Sequence, residues 1–326
     1  PFGSGKSVVV SALFSHLDGL STETRSIIHT STRAATPTSP AFAYVDLRQT
    51  TSEFAFYHGV LDALVDESVP DHGISTAELR SRLHERLGDS GTGVVVAVDH
   101  VGDPEGTTDE QLIERFAGLP SNVSWLAVGR RDPADVPLTE YTATEIRVDR
   151  YRRETLVDLL MTRASLGLAR QGIDHELARR IAEWADGNAH DAMAALFVAA
   201  VRATEDERTR VTDADVTAAI EEVPRESASL ARVLALPANK QLVLRELVDL
   251  DPDERASVTA TTEAIGAVPT VDLSPGTVKR YLYEMAEVGV VERVQSEATS
   301  GQGRPPSRVE LRFSPTAFRR LYDLRA

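Results

Sequence analysis

The chain begins with Pro-Phe-Gly-Ser-Gly-Lys-Ser, and a stretch from Val8 to Leu17 that suits a helix follows directly. Small residues let successive backbone N–H groups surround phosphate oxygens, while a Lys reaches the β- and γ-phosphates and a hydroxyl binds Mg²⁺. The N-terminus of the following helix also faces the anion. These features predict a P-loop that binds ATP or ADP with Mg²⁺. The residues that we expect to hold the nucleotide here are Gly3, Ser4, Gly5, Lys6, Ser7 and Val8, with Ser7 also binding the Mg²⁺.

The length and the opening of the sequence bear on its organisation. A chain of 326 residues exceeds the usual size of one domain, roughly 100–200 residues, so we expect two or three domains. The first Gly of the full P-loop pattern would precede Pro1. We therefore expect an N-terminally truncated chain that lacks the first strand of its nucleotide-binding domain.

Composition narrows the class of protein. Cys is absent, which excludes disulfides, thiolate catalysis and Cys-ligated zinc and favours an intracellular protein, which we expect in the cytoplasm. No apolar run approaches the roughly 18 residues that a membrane span needs, so we expect no membrane partner. The net charge is −15, and Lys occurs only at Lys6, Lys240 and Lys279. This balance resembles that of proteins from salt-loving archaea, although an acidic protein of a GC-rich mesophile would look similar.

Strand-like and helix-like segments alternate over residues 1–150. A continuous apolar run, Val94 to Val98, is typical of a buried parallel strand. The alternation predicts an α/β P-loop domain with a parallel sheet covered by helices on both faces. The predicted order is helix Val8 to Leu17, strand Phe42 to Leu47, helix Ser52 to Val65, helix Ser75 to Leu87, strand Val94 to Val98, helix Asp109 to Ala117, strand Val123 to Val128 and a last strand Ile146 to Val148.

The pattern is helical after this point. An all-α lid domain over residues 151–225 is predicted from four helical segments, Arg153 to Leu166, His175 to Ala185, Ala189 to Ala203 and Asp213 to Glu222. Residues 226–326 contain three predicted helices, the third opened by Ser274-Pro275, and two strands joined by a loop rich in Gly, Pro and Ser from Ser300 to Ser307. Three helices followed by a β-hairpin predict a winged helix-turn-helix domain.

The second component of a nucleotide site should be an acid at the end of a buried strand. Asp99 follows the run Val94 to Val98 and is expected to position Mg²⁺ in the manner of a Walker B acid, although many strands end in an Asp that has no such role. The next residue is His100, where hydrolytic P-loop proteins usually place a Glu that activates water. A neutral His could polarise water, or the residue could be a simple strand-end substitution; Asp103 and Glu105 are nearby candidates for compensation.

Taken together, these segments resemble the archaeal origin-recognition and cell-division-control (Orc/Cdc) family of AAA+ replication initiators over almost the whole chain. Tyr44 to Arg48 is similar to that family's second core strand, Val94 to Asp99 to its Walker B strand, and Trp125 to Gly129 to its sensor-one strand. Ile181 to Met193 resembles its sensor-two segment, and Val211 to Ile220 its following helix. The resemblance implies binding of ATP and double-stranded DNA, and recruitment of a replicative helicase or of other initiator subunits.

The chain departs from this family where hydrolysis takes place. The sensor-one polar residue is replaced by Arg130 or Gly129, and the sensor-two Arg by His190. From their positions in this family, the resemblance implies that Arg130 and His190 contact the nucleotide. With His100 in place of Glu, three groups that act on the γ-phosphate are altered, and losing one such group costs about 10²–10³ in rate. We therefore predict that ATP is bound but turned over slowly or not at all. Arg130 and Arg131 are either phosphate sensors or surface ion pairs.

The predicted winged helix offers the nucleic-acid contacts. In such modules the third helix enters the major groove and the wing contacts the backbone or minor groove. The domain could instead mediate protein interactions, as in signalling or transcription-regulatory P-loop ATPases; a motor-like ATPase would need the acid that His100 displaces. The residues that we expect to contact DNA are Thr277, Lys279, Arg280, Tyr283, Arg304 and Arg308.

Overall fold

The computed structural model describes residues 2–28, 40–48, 50, 52–65, 67–88, 93–103, 107–295 and 307–325, and for residues 18–28 and 88 it describes the backbone alone. The chain divides into two compact units. The first contains Gly5–Val148, and the second contains Asp149–Ala326 together with Phe2–Ser4. Within the described ranges, no helix is both long enough and apolar enough to cross a bilayer.

The first unit contains a parallel sheet in the order β1-β2-β3, in which Asp46 of β1 lies opposite Asp99 of β2. Large side chains such as Phe56, Tyr57 and Leu112 are fully buried in its core. Two short 3₁₀ helices, Pro133–Asp135 and Pro137–Tyr141, follow the sheet. The elements are α1 (Lys6–Ile28), β1 (Ala41–Asp46), α2 (Glu53–Asp62), α3 (Thr76–Gly88), β2 (Val94–Val101), α4 (Asp109–Ala117) and β3 (Val123–Gly129).

Four features of this unit differ from the predictions. Helix α1 continues to Ile28, beyond the predicted end at Leu17, whereas α2 ends at Asp62, before the predicted end at Val65. Strand β2 continues past Asp99 to Val101, with a register shift at His100. The predicted strand Ile146 to Val148 is wrong: these residues have no regular structure, and Ile146 is 73% exposed. The alternation of apolar and polar residues there suits a strand, but none of the described strands pairs with it.

The second unit is helical except for one hairpin. Its four leading helices share a core of small and branched residues, to which Ala317 near the end of the chain also belongs, and the remaining elements share another core. Strands β4 and β5 are antiparallel, with Val291 opposite Leu311. The elements are α5 (Arg153–Gly167), α6 (His175–Ala185), α7 (Ala189–Glu205), α8 (Asp213–Glu222), α9 (Leu230–Leu234), α10 (Ala238–Asp249), α11 (Val258–Gly266), α12 (Pro275–Glu287), β4 (Val291–Gln295), β5 (Ser307–Leu311) and α13 (Pro315–Asp323).

Capping residues explain where many of these helices begin. Thr212 and Asp215 form a reciprocal capping box at α8, and Asp174, Ser257 and Ser274 each accept a hydrogen bond from a backbone N–H in the first turn of α6, α11 and α12. Helix α13 was not predicted. Its sequence signal is Ser314-Pro315, an N-cap followed by Pro in the first turn.

Candidate functional site

The P-loop has a backbone that only glycine adopts easily. Gly3 and Gly5 have φ values of +70° and +80°, in the left-handed region that L-residues with a Cβ avoid. Helix α1 begins at Lys6, and the N–H of Val9 donates to the carbonyl of Gly5 at 2.9 Å. Such turns aim successive N–H groups into one concavity, and the start of a helix adds its dipole. The loop therefore has the backbone that a triphosphate cradle needs.

Lys6 is the first residue of helix α1. Burial lowers the pKa of Lys6, with the positive charge of Arg130 acting in the same direction and the negative charge of Asp99 opposing them. The predicted P-loop lysine, the predicted acid and one sensor-one candidate are thus within electrostatic range of one another. Ser7 is half-buried beside Lys6, and Val8 is 69% exposed.

Asp99 is buried, with 2% of its surface exposed. The hydroxyl of Tyr44, on the neighbouring strand β1, donates to Asp99 Oδ2 at 2.5 Å, and the backbone N–H of His100 donates to Oδ1 at 2.7 Å. Burial and the hydrogen bond to Asp99 raise the pKa of Tyr44, so this hydroxyl keeps its proton. Sequence reasoning missed Tyr44 as a site residue; its position in β1, two residues before Asp46, was the available signal.

His100 has φ +66°, and this left-handed residue is where β2 shifts register. Its Nε2 lies 3.7 Å from Asp99 Oδ2, and its Nδ1 lies 3.7 Å from Asp103 Oδ2. Burial lowers the pKa of His100, and although Asp99 opposes this, the ring is neutral near pH 7. The imidazole therefore lies beside the acid without the negative charge that Glu would supply. Glu105 lies outside the described residues.

A further ion pair lies at the same edge of the sheet. Arg48 donates to both carboxylate oxygens of Asp46, at 3.0 and 2.7 Å. Although burial opposes the shift, these hydrogen bonds hold the pKa of Asp46 below its ordinary value. Arg48 also helps to lower the pKa of His100. The pair keeps one charge of each sign close to Asp99.

The two adjacent arginines differ in their contacts. Arg131 donates to both oxygens of Asp109, at 2.7 and 2.6 Å, and its guanidinium packs so closely over Gly102 that a Cβ there would lie 2.5 Å from Nε. Arg131 therefore has a structural ion pair. The Nε of Arg130 lies 3.9 Å from Asp103, and its charge reaches Lys6, so Arg130 is the better sensor-one candidate.

His190 lies in the first turn of α7, in the second unit. Its ring meets the ring of Phe2 edge-on, with the centroids 5.5 Å apart. Its Nε2 is buried and has no hydrogen-bond partner among the described residues. Burial lowers the pKa of His190, against the opposing charge of Asp191. Its role toward the nucleotide stays a prediction.

The predicted DNA-contacting residues are only partly brought together. Lys279 and Arg280 are exposed on α12, and the half-buried ring of Tyr283 lies under Lys279, 5.8 Å from its Nζ. Arg293 of β4 also lies over Tyr283, at 4.2 Å, and was missed by sequence reasoning. Thr277 differs, because its hydroxyl lies 3.0 Å from that of the N-cap Ser274.

Of the two arginines predicted to contact DNA from the wing, only Arg308 lies within the described residues. Arg308 on β5 pairs with Glu310 of the same strand, at 2.6 Å, which partly neutralises its charge. Arg304 lies outside the described residues. Across the ranges that are described, no group of three or more His, Asp or Glu side chains is arranged to hold a metal ion by itself.

No family model matches the chain. A relative named ORC1-type DNA replication protein 1, from Sulfolobus acidocaldarius, is 27% identical over 229 residues, which is 65% of this chain and 56% of that protein. ORC1-type DNA replication protein 9 from Halobacterium salinarum is 30% identical over 173 residues, 52% of this chain and 48% of that protein. The matches thus span about half the length of these curated relatives. The relative from Halobacterium salinarum fits the composition of this chain, which resembles that of proteins from salt-loving archaea.

Solved structures share the fold. Orc1 of Aeropyrum pernix, determined in complex with DNA, has a TM-score of 0.61 and 20% identity, covering 98% of this chain and 83% of that one. Cdc6p of Pyrobaculum aerophilum has a TM-score of 0.52 and 18% identity, covering 99% and 86%. Orc2 of Aeropyrum pernix, in ADPNP–ADP complexes, has a TM-score of 0.52 and 15% identity, covering 99% and 84%. In sequence and in fold, the chain is therefore similar to the archaeal Orc/Cdc6-type AAA+ replication initiators, which confirms the resemblance seen in its motifs.

Proposed function

We propose that the chain is an Orc/Cdc6-type replication initiator that binds ATP and double-stranded DNA and hydrolyses ATP slowly or not at all. Such a protein would act in the cytoplasm of a salt-loving archaeon, recognise origin DNA and help to recruit the replicative helicase or other initiator subunits. The observation that carries the proposal is the combination of the left-handed Gly3 and Gly5 before Lys6 with His100, rather than an acid, beside Asp99.

Nucleotide binding is supported by the backbone of the P-loop and by its charges. The left-handed Gly3 and Gly5 suit a phosphate cradle, and Lys6 supplies the positive charge. In this proposal Ser7 and Asp99 hold Mg²⁺ together with the phosphates, and Mg²⁺ would neutralise charge on the β- and γ-phosphate oxygens. Tyr44 keeps the Asp99 carboxylate oriented by its hydrogen bond.

Slow hydrolysis is supported by the groups near Asp99. Burial lowers the pKa of His100, which makes it a weaker base than an ordinary histidine. Its neutral ring also brings no negative charge to orient and polarise a water molecule, as the carboxylate of Glu would. Arg130 is already close to Asp103, so its charge is partly compensated before any phosphate arrives.

ATP binding and turnover can be tested on the same preparation. We expect wild type to bind a fluorescent ATP analogue and Lys6→Ala to lose that binding by more than about tenfold. Lys240→Ala, the same chemical change in the second unit, is the matched control and should bind normally. Phosphate release should be equally slow in all three proteins. Rapid release that depends on Lys6 would contradict slow hydrolysis, and absent binding by wild type would contradict the proposed nucleotide site.

DNA binding is proposed to use a winged helix-turn-helix formed by α10 to α12 and the β4–β5 hairpin. Lys279, Arg280 and the Tyr283–Arg293 pair give this region an exposed basic face with an aromatic ring under it. Base-edge contacts and DNA shape supplement phosphate contacts at such faces, and they matter more in concentrated salt, where counterion release contributes less.

The test is a titration of labelled duplex DNA at high salt, with and without ATP. A Lys279→Ala/Arg280→Ala double variant should bind at least about tenfold more weakly, because each phosphate or base contact contributes about 1–3 kcal/mol. Arg163→Ala/Arg170→Ala removes the same charge from exposed positions in the helical part of the unit and should bind like wild type. Absence of DNA binding by wild type under every nucleotide condition would instead favour a protein-interaction role.

A further inference from the structure

Asp191, in the first turn of α7, is a carboxylate that is 1% exposed and fully engaged. Its Oδ2 accepts from Asn188 Nδ2 at 2.8 Å and from the backbone N–H of Glu226 at 2.9 Å. Its Oδ1 accepts from the backbone N–H and the hydroxyl of Ser227, both at 3.2 Å. One side chain thus connects the start of α7 to the segment that follows α8.

Asn188 connects the same place to the P-loop. Its Oδ1 caps α7 by accepting from the N–H groups of His190 and Asp191, at 3.0 and 3.2 Å. Gly3, which groups with this unit, lies so close that a Cβ on it would be 1.7 Å from Asn188 Oδ1. The N–H of Ala189 donates to the carbonyl of Gly3 at 3.0 Å. The first half of the P-loop is therefore held against the first turn of α7.

The segment whose N–H groups donate to Asp191 has an unusual backbone conformation at Glu226. Glu226 has φ +52°, which costs a non-glycine residue on the order of 1 kcal/mol and persists only where the surroundings fix it. Here the N–H groups of Glu226 and Ser227 both point at Asp191. On either side, Arg225 lies over the ring of Trp184 at 4.4 Å, and Ala228 N–H donates to the carbonyl of Arg312. We call residues 225–228 the linker, since they lead from α8 into the elements that follow.

We propose that Asn188 and Asp191 are positioning residues that couple the P-loop to the linker. Both polar atoms of the Asn188 amide are committed, so a displacement of Gly3 that moves Asn188 must also alter the hydrogen bonds of Asp191. Those hydrogen bonds define the backbone at Glu226 and Ser227. Phosphate binding at Gly3 therefore changes the linker, and by thermodynamic reciprocity a change in the linker alters nucleotide affinity.

This coupling rests on the proposed nucleotide binding, and its test separates the two. Hydrogen exchange at the amides of Glu226 and Ser227 is followed by mass spectrometry, with and without ADPNP, and the ADPNP affinity is measured in parallel. In wild type we expect ADPNP to change the exchange of these amides. In Asn188→Ala we expect that change to disappear and the affinity to fall roughly tenfold, within the usual range of coupling.

Two further variants separate coupling from plain stability. Asp174→Ala removes an N-cap of the same kind from α6, where Asp174 accepts from Glu176 N–H at 2.9 Å, and should keep wild-type affinity and linker response. Asp191→Asn keeps the size of the side chain and replaces Asn188→Ala if that variant does not fold. Unchanged affinity and an unchanged linker response in the folded variant would overturn the coupling, as would a wild-type linker that ignores bound ADPNP. Failure of wild type to bind ADPNP at all would overturn the proposed function as well.

Discussion

Each of the two units contains a buried aspartate beside a histidine, and the two carboxylates differ in how many hydrogen bonds they accept. Asp99 in the first unit and Asp191 in the second are equally buried, at 2% and 1% exposure. Among the described residues, Asp99 accepts two hydrogen bonds, from Tyr44 and His100, whereas Asp191 accepts four. A carboxylate offers about four acceptor sites. Burial alone therefore does not distinguish the two carboxylates, whereas unused acceptor capacity does.

Asp191→Ala should have the largest effect on stability. The change leaves the Asn188 amide and two backbone N–H groups without their acceptor, and each unsatisfied buried group costs about 1–3 kcal/mol. We expect the free energy of unfolding of the second unit to fall by about 3 kcal/mol or more. Urea denaturation can be followed by Trp184 fluorescence in a Trp125→Phe background. A loss below about 1 kcal/mol would show that the four hydrogen bonds of Asp191 do not give it a larger role in stability than Asp99 has.

Asp99→Asn should weaken ligand binding much more than it lowers stability, the opposite of what we expect for Asp191→Ala. Since only two hydrogen bonds are affected and the side-chain volume is kept, the unfolding free energy should change by less than about 1 kcal/mol. The affinity for Mg²⁺–ATP should fall by at least about tenfold, which corresponds to about 1.4 kcal/mol. Titrations with and without Mg²⁺ measure the difference. Equal affinity in both proteins would remove Asp99 from the nucleotide site.

Tyr44→Phe sharpens the comparison by removing one of the two donors to Asp99. The carboxylate is then less firmly oriented but keeps its charge, so we expect Mg²⁺–ATP affinity to fall only about threefold, or about 0.6 kcal/mol. The same titration measures it, and Tyr57→Phe, whose hydroxyl donates to the Arg115 carbonyl at 3.3 Å, is the control. An effect as large as that of Asp99→Asn would mean that Tyr44 itself holds the ligand.

The smallest expected effect is on the pH dependence of stability, to which His100 and His190 both contribute. Burial lowers the pKa of both His100 and His190 in the folded protein. The unfolded chain therefore takes up protons first, and stability is lost as the pH falls through the ordinary histidine value of about 6.5. His190→Gln should lose less unfolding free energy than wild type between pH 7.5 and pH 5.5 in urea denaturation. An unchanged pH slope would contradict this prediction.

Local signals predicted much of the fold. The bounds of α4, α6 and α8 were predicted correctly, because an N-cap followed by acids in the first turn marks each start. The strands of the sheet were found from their apolar runs. The false strand at Ile146 to Val148 had the right alternation, but a strand also needs a neighbour, which composition does not supply.

The contacts that define the two aspartates were beyond the reach of sequence patterns. Tyr44 and Asp99 are 55 residues apart, and Asp191 and Glu226 are 35 apart, so each pairing depends on how separate elements pack. The P-loop and Asp99 could be proposed from the sequence because the spacing of residues alone carries that prediction. The placement of Arg131 on Asp109 shows the same limit, since the sequence left both arginines open as sensors.

The left-handed backbone at His100 bears on every substitution at this position. A residue with a Cβ costs roughly 1–2 kcal/mol in that conformation, and β2 shifts register at this residue. His100→Glu would carry the same conformational cost, and its carboxylate would lie next to the buried Asp99, where two like charges repel. A change of side chain here therefore acts on the conformation of β2 as well as on the chemistry beside Asp99.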